Sequence, residues 1–184
     1  MSEFTCRPAT DADRPFLEWM YALTETWGDD AVPLPGGYFI SRGRYVGGWE
    51  PGQGGVVLEM RGDGVGEVYA ASEQGRPFDA GDGVLPAGAA WLRDFTPEDR
   101  GAGWYREGWP EMCIALRPGL HGRGLSARLL AAVLDTARDL GRPGVTLAVE
   151  HGNDRAARAY AKAGFRRVGP SWLPDHDVMV HDLA

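Results

Sequence analysis

A mixed α/β fold, with a central mixed sheet flanked by helices, is the fold class that this sequence of 184 residues predicts. Patterns typical of β-strands predominate before residue 111, whereas strand–helix units with apolar residues at helical spacing follow it. A chain that places strands first and strand–helix units later forms a sheet with helices on its faces. Because no linker or repeat interrupts the pattern, we expect one domain over residues 1–184.

The first part of the chain predicts a strand and a helix. Residues 4–7 have a short strand pattern, and the pair Thr10 and Asp13 resembles a capping box at a helix start. A helix over residues 11–27 is predicted by an apolar face at helical spacing, made of Phe16, Met20, Leu23 and Trp27. Residues 28–53 are rich in Gly and Pro and predict loops with a short helical turn, whose aromatic residues either wall a substrate pocket or anchor the loops on the core.

Further strands are predicted on both sides of the central stretch. Residues 55–60 are apolar and β-branched, and a glycine turn after them predicts a partner strand at 67–71. Residues 88–95 predict another strand, followed by a charged, aromatic connection at 96–109. The last strand is expected at 177–183.

Two strand–helix units between residues 111 and 169 organise the chain. The apolar run 112–116 leads into a turn broken by glycines, and helical spacing then follows in Leu125, Leu129, Leu130, Val133, Leu134 and Ala137. Glycines let the backbone approach an anion, and the free N–H groups of a helix start hold it. The second unit has a strand at 145–150 and a helix at 155–163. We therefore expect a nucleotide-sized ligand across the ends of both units.

Composition narrows the class of protein. With 43% hydrophobic and 24% charged residues the chain is globular in character, and no apolar run approaches membrane-spanning length. Two cysteines are too few for a disulfide framework, and the first residues lack the basic and apolar regions of a signal peptide. These features predict a soluble cytoplasmic protein with no membrane partner.

The charge of the chain is unevenly distributed. Its net value of −7 argues against general nucleic-acid binding. Residues 117–167 nevertheless hold ten Lys and Arg against four Asp and Glu, while the rest of the chain is strongly acidic. This division suggests one segment that anchors a polyanion and another that receives a cation.

Together, these elements resemble the GNAT acetyltransferase family, most closely over residues 111–168 and also over residues 7–10 and the first helix. The resemblance implies a GNAT-like acyl-CoA N-acyltransferase fold with a mostly antiparallel sheet, and acetyl-CoA as co-substrate at about residues 111–169. In that family, amides of a loop with the pattern Arg/Gln-x-x-Gly-x-Gly/Ala bind the pyrophosphate of acetyl-CoA. The matching loop here is His121, Gly122, Arg123, Gly124, Leu125 and Ser126, which departs from the pattern at its first and last residues.

A second motif of the family, Asn-x-x-Ala-x-x-x-Tyr-x-x-x-Gly-Phe, is matched by Asn153, Ala156, Tyr160, Gly164 and Phe165. The resemblance implies that Asn153 and Ala156 contact the coenzyme, Asn153 at its pantetheine arm. It also implies that Tyr160 protonates the coenzyme sulfur as a general acid. The residues alone equally allow Asn153 to act only as a helix N-cap and Tyr160 to act only in packing.

Acetyl transfer to an amine also needs a base. A lysine-like amine has a pKa of about 10.4, so a group must accept its proton before it can attack a thioester at neutral pH. Glu111, at the start of the strand before the glycine loop, is the candidate, with Glu150 and His151 as weaker ones. By the same resemblance, the backbone near Ala115 and Leu116 binds the thioester carbonyl and the pantetheine amides.

These inferences predict an N-acetyltransferase that moves an acetyl group from acetyl-CoA to a primary amine of a small molecule or peptide by direct attack. Residues 28–109, the acidic and aromatic part, are expected to select the acceptor. Dimerisation is common in the family, so the resemblance also allows a homodimer. No metal is expected, because the C-terminal histidines match no strong ligand motif: His151, His176 and His181.

Two other functions stay open from the residues. A non-catalytic, regulatory acyl-CoA-binding module would have the same fold. The segment Gly122-x-Gly124-x-x-Ala127 also fits a dinucleotide fingerprint, with Glu150 as the ribose-binding acid, and would suit an oxidoreductase. In a dinucleotide fold, however, the first glycine follows its strand almost directly, whereas four residues intervene here after Arg117.

Overall fold

A seven-stranded sheet is the centre of the computed structural model, which describes residues 2–70 and 83–183. The strands in chain order are β1 (Glu3–Pro8), β2 (Gly55–Arg61), β3 (Val84–Arg93), β4 (Glu111–Leu116), β5 (Gly144–Glu150), β6 (Arg166–Pro170) and β7 (His176–Asp182). Their order across the sheet is β1-β2-β3-β4-β5-β7-β6. Neighbours are antiparallel except β4 and β5, which are parallel. The predicted mixed, mostly antiparallel sheet is confirmed.

Helices cover both faces of the sheet. They are α1 (Arg14–Glu25), α2 (Tyr38–Arg42), α3 (Val65–Ala70), α4 (Leu125–Asp139) and α5 (Asp154–Lys162). One core lies between the sheet and α1 and α2, and the other between the sheet and α4 and α5. Because successive strand residues face opposite sides, Cys113 packs in the first core and Met112 in the second. None of the helices in the described ranges has the length and apolar character to cross a membrane.

Helix α1 ends earlier than its sequence pattern predicts. The Thr10 amide donates to the Asp13 carboxylate at 2.8 Å, as in the predicted capping box. At the other end the Gly28 N–H donates to the Leu23 carbonyl at 2.7 Å, which closes the helix and turns the chain. Trp27, predicted on the buried face, is instead 41% exposed and has a left-handed φ of 54°.

The partner strand predicted at 67–71 is wrong for the residues that can be described, because they belong to α3; residue 71 lies outside the described ranges. Val65, Val68 and Tyr69 contact the core together. Their spacing of three and four residues suits a helix better than a strand. Strand β2 therefore pairs with β1 and β3.

Strands β4 and β5 separate almost as soon as they meet. They pair only at Glu111 and Thr146. The Thr146 hydroxyl donates to the Gly103 carbonyl at 2.5 Å, and the Thr146 amide donates to the Pro110 carbonyl at 2.9 Å. These bonds fix the junction, and beyond it the two strands leave a gap in the middle of the sheet.

Candidate active site

The gap between β4 and β5 opens into a cavity of about 1090 Å³. Tyr21 and Tyr38 line it on the α1 face of the sheet, and Leu130 and Tyr160 line it on the opposite face. Its volume lies slightly above the range of about 300–1,000 Å³ that is usual for ligand pockets. The predicted site residues line this cavity except Arg123, Leu125 and the weaker candidate base His151.

The glycine loop presents its backbone to one end of this cavity. Gly124 is the N-cap of α4 and has a φ of 74°, a left-handed conformation that glycine adopts without strain. In the part of the chain that the structure describes, no amide from residue 122 to 127 donates a hydrogen bond. Arg123 is exposed and Leu125 is buried in the core, so neither side chain lines the cavity. Free amides at a helix start suit a phosphate group.

His121 lies beside the turn that follows α1. A side chain at Gly28 would lie 2.8 Å from His121 Nε2, so the ring packs directly on the Gly28 backbone. Burial, and to a lesser extent Arg155, lower the pKa of His121 and favour its neutral form. His121 therefore adds no full positive charge at neutral pH.

The Trp27–Gly28 turn also reaches the β5–α5 connection. Arg155 Nη2 donates to the Trp27 carbonyl at 2.7 Å, and Trp27 Nε1 donates to Glu150 Oε2 at 2.7 Å. The turn thus spans the mouth of the gap, from the glycine loop on one side to the end of β5 on the other.

The open edge of β4 faces this gap. Ala115 and Leu116 pair with β3 on one side, but β4 has no pairing with β5 beyond Glu111. Because the Arg117 N–H donates to the Ala87 carbonyl of the β3 side and backbone direction alternates along a strand, the groups of Ala115 point to β3 and those of Leu116 point to the gap. The coenzyme contact predicted near Ala115 and Leu116 stays a prediction.

Asn153 is the N-cap of α5. Its Oδ1 accepts a hydrogen bond from the Ala156 amide at 3.3 Å, so the capping role considered from the sequence is correct. Asn153 and Ala156 also line the cavity. The coenzyme contact of both residues stays a prediction.

Tyr160 projects from α5 into the same cavity. Its ring lies 5.9 Å from that of Phe165 and packs against the α4-side core. Burial raises the pKa of the Tyr160 phenol, so the hydroxyl keeps its proton at neutral pH. This arrangement provides both the packing role and a proton donor on the cavity wall.

Glu111 lies on the α1 face at the β4–β5 junction and is only 4% exposed. Burial raises its pKa to about 7, although the Gly103 amide, the Tyr45 hydroxyl and Arg44 favour the charged form. Tyr45 donates to Glu111 Oε1 at 3.0 Å. A carboxylate with this pKa can accept and release a proton at neutral pH.

The segment 101–103 encloses Glu111. The Ala102 amide donates to the Tyr45 hydroxyl oxygen at 2.7 Å, and Trp172 Nε1 donates to the Gly101 carbonyl at 2.8 Å. A Cβ at Gly101 would overlap Glu111 Oε2, so only glycine fits there. The charged, aromatic connection predicted from sequence thus forms one wall around the candidate base.

A family model described as the Acetyltransferase (GNAT) family matches residues 41–165, about two thirds of the chain. The chain belongs to the GNAT acetyltransferase family. The predicted GNAT-like fold is confirmed, and the splayed β4–β5 pair and glycine loop are its features here. A dinucleotide-binding fold has a mostly parallel sheet. Among the described strands only β4 and β5 are parallel neighbours, so the fold does not support the dinucleotide-binding alternative.

Relatives with curated names match a part of this GNAT chain. The uncharacterized N-acetyltransferase Rv2669 of Mycobacterium tuberculosis H37Rv is 51% identical over 78 residues, 39% of this chain and 49% of that protein. The chain thus spans about half the length of the curated relatives it matches.

Solved structures share the fold along nearly the whole chain. The GNAT domain of S. lividans PAT has a TM-score of 0.60 at 15% identity, covering 96% of this chain and 89% of that one. The structure of yncA from Salmonella typhimurium with its cofactor acetyl-CoA has a TM-score of 0.55 at 19% identity, covering 99% and 95%. At these identities the likeness shows the fold alone.

Sequence reasoning missed Tyr21, Glu25 and Cys113 of the GNAT cavity, and it considered Tyr45 only as one of several loop aromatics that either wall a pocket or pack on the core. Tyr21 and Glu25 are one helical turn apart on α1, a polar pair beside its apolar face, which is the one local pattern that could have drawn attention to them. Tyr45 lies in a short π-helical turn, and nothing in its local sequence connects it with a glutamate 66 residues later.

The histidines considered as metal ligands have separate surroundings. His151 Nε2 lies 3.2 Å from Asp177, His176 Nδ1 lies 2.8 Å from the Pro174 carbonyl, and the ring of His181 packs on Phe165. Over residues 2–70 and 83–183, no group of three or more potential ligands has the geometry of a metal site.

Proposed function

We propose that this GNAT chain, acting as one acetyltransferase domain, transfers an acetyl group from acetyl-CoA to a primary amine of a small molecule or peptide. The main support is that a buried carboxylate with a pKa near 7, Glu111, lines the same cavity as a protonated phenol, Tyr160. Acid–base catalysis of aminolysis requires such a pair.

The cavity suits acetyl-CoA. The free amides from residue 122 to 127 would hold the pyrophosphate, and the open edge of β4, where Leu116 next to Ala115 turns its backbone groups to the gap, would hold the pantetheine amides. Asn153 and Ala156 would form the opposite side. The coenzyme supplies an acetyl thioester, the activated acyl group of the reaction.

Glu111 and Tyr160 carry out the two proton transfers of the reaction. Glu111 accepts the proton that the amine nitrogen loses as its bond to the acetyl carbon forms. Tyr160 donates a proton to the sulfur as the carbon–sulfur bond breaks, so the products are an amide and a neutral thiol. Solvent then returns a proton to Tyr160 and removes one from Glu111.

Direct attack fits the cavity better than a route through an acetylated cysteine. Cys113 lies between the two candidate groups on β4, but burial, and next Glu111 and Glu25, raise its pKa well above the usual range. A thiol must lose its proton to act as a nucleophile. We therefore assign Cys113 no covalent role.

Release of CoA in the presence of a panel of primary amines tests the proposal. We expect release that depends on both acetyl-CoA and an amine, with the amide product identified by mass spectrometry. Binding of acetyl-CoA without release for any amine would contradict it and support the non-catalytic acyl-CoA-binding module instead.

A further inference from the structure

The cavity has opposite charges on its two sides. On the α4–α5 side, Arg155 lies near the glycine loop through its bond to the Trp27 carbonyl, whereas Arg138, paired with Asp135 at 2.7 Å, and Lys162 line the cavity from the last turns of α4 and α5. Glu25 and Glu111 line it on the α1 face. Arg44 also reaches the α1 side, but its guanidinium is paired with Asp99 at 2.6 Å and with the Arg100 carbonyl at 2.8 Å. The acceptor side is thus acidic in character.

A row of tyrosines connects the two carboxylates on this side. Tyr45 donates to Glu111, and its ring is stacked on that of Tyr21 with centroids 5.2 Å apart. Tyr21 is stacked on Tyr38 in turn, at 6.0 Å. The Tyr21 hydroxyl lies beside Glu25, close enough for the two groups to influence each other's ionisation. The wall between the carboxylates is therefore aromatic and suits the methylene groups of an alkyl chain.

Glu25 is placed to hold a cation. It is the last residue of α1, where the partial negative charge of the helix end adds to that of the carboxylate. Within residues 2–70 and 83–183 it forms no salt bridge. Burial raises the pKa of Glu25, while its hydrogen bond with the Tyr21 hydroxyl and then His176 oppose the shift, and Glu150 adds to it. A bound ammonium group would remove the cost of burying this charge.

Glu111 supplies a second and independent indication of a ligand. It is more than nine-tenths buried, lines the cavity, and its Oε2 has no hydrogen bond of good geometry in the described part of the chain. Oε2 lies against Gly101, so an amine placed between Glu111 and the coenzyme sulfur would reach the carboxylate from the cavity side and supply a donor to it. The rest of the acceptor would then lie along the tyrosine wall towards Glu25.

We infer that Glu25 is a specificity-determining residue, which binds a second ammonium group of the acceptor, so that the preferred acceptor is an alkyl diamine. One amino group is acetylated beside Glu111 while the other stays charged on Glu25. This inference rests on the proposed acetyl transfer and adds the chemical class of its acceptor.

The test compares 1,4-diaminobutane with n-butylamine, which has the same chain and lacks the second amine. With the wild type we expect kcat/KM to be roughly 10-fold or more higher for the diamine, since a charge-assisted hydrogen bond contributes about that factor. In E25Q this preference should disappear, and E25D should retain part of it because the charge remains. The matched control is E18Q, on the same helix, whose carboxylate pairs with Arg42 at 3.5 Å and should leave the preference unchanged.

Equal wild-type rates for the two amines would overturn the inference, as would an E25Q variant that slows both by the same factor. Calorimetry with 1,4-diaminobutane separates this failure from that of the proposed reaction. Diamine binding that is lost in E25Q, without CoA release from the wild type, would retain the Glu25 site and overturn acetyl transfer. Equal diamine binding by wild type and E25Q would overturn the Glu25 site.

Discussion

The surroundings of Glu111 set the pH range in which this carboxylate can act. Burial raises its pKa to about 7, and the hydrogen bond from Tyr45 limits that rise. A base is most effective when its pKa lies near the working pH. The same burial that makes Glu111 costly to ionise therefore makes it suitable for proton transfer.

The pH dependence of the reaction should reflect the ionisation of Glu111. Because only the carboxylate form accepts a proton, we expect activity to be lost as the pH falls through about 7, the raised pKa of Glu111. The E111Q variant should lose roughly 100-fold or more in kcat/KM. The measurement is the ratio of wild-type to E111Q kcat/KM from about pH 5.5 to 9. Because the acceptor amine ionises equally in both assays, its effect on the rate cancels in this ratio.

The E150Q variant is the control for this prediction, since Glu150 is the weaker candidate base and is hydrogen-bonded to Trp27. We expect E150Q to keep the wild-type pH profile. A profile that is flattened in E150Q and intact in E111Q would assign the base to Glu150 instead.

Tyr160 should affect the chemical step and not coenzyme affinity. The Y160F variant keeps the ring that packs near Phe165 but loses the proton donor. We expect kcat to fall roughly 100-fold, with little change in the Kd of acetyl-CoA measured by calorimetry. Y105F, at a tyrosine outside the cavity lining, should behave as wild type. A normal kcat in Y160F would remove Tyr160 from the mechanism.

Cys113 provides a test of direct attack. Because its pKa is raised, we expect C113A to retain CoA release of the same order as the wild type, and mass spectrometry after incubation with acetyl-CoA to show no acetylated cysteine. An acetylated Cys113 in the wild type, together with loss of activity in C113A, would favour a two-step route.

At the scale of elements, the turn from β4 into α4 depends on the backbone conformation of Gly124. Its φ of 74° is unfavourable by about 1–2 kcal/mol for other residues. No neighbouring atom would clash with a Cβ, so backbone strain is the main consequence of a substitution there.

The G124A variant should therefore weaken acetyl-CoA binding, because relief of the strain turns the loop amides away from the phosphate. The matched control is G141A, just beyond the other end of α4, where φ is 68° and a Cβ also meets open space. We expect both variants to lose similar thermal stability, and only G124A to show a raised Kd for acetyl-CoA in calorimetry. Equal Kd values would contradict the assignment of the loop.

The elements that the sequence predicts well have their own local pattern. Strands β4 and β5 are short apolar runs, and α4 combines helical spacing with a glycine start, so their positions agree with prediction. Helix α3 was mispredicted because a six-residue segment with few apolar positions fits a strand or a helix about equally well. Trp27 continues the apolar spacing of α1, but the turn at Gly28 ends the helix first.

At the scale of the whole molecule, the acceptor side of the cavity could not be predicted in detail. Its wall combines α1, a turn after α2 and the start of β4, which meet only through tertiary packing. The uneven charge of the sequence did predict a division between a polyanion site and a cation site. That division stays a prediction: Glu25 and Glu111 line the α1 side of the cavity, but Asp135 and Glu150 line it together with the basic residues of the α4–α5 side.

The gap between β4 and β5 pierces the sheet from one face to the other. A donor and an acceptor that enter by opposite openings do not block each other, so both would be bound at once and either product could depart first. A bisubstrate inhibitor, made by linking a diamine covalently to the coenzyme sulfur, would accordingly pass through the sheet and contact the helices on both of its faces.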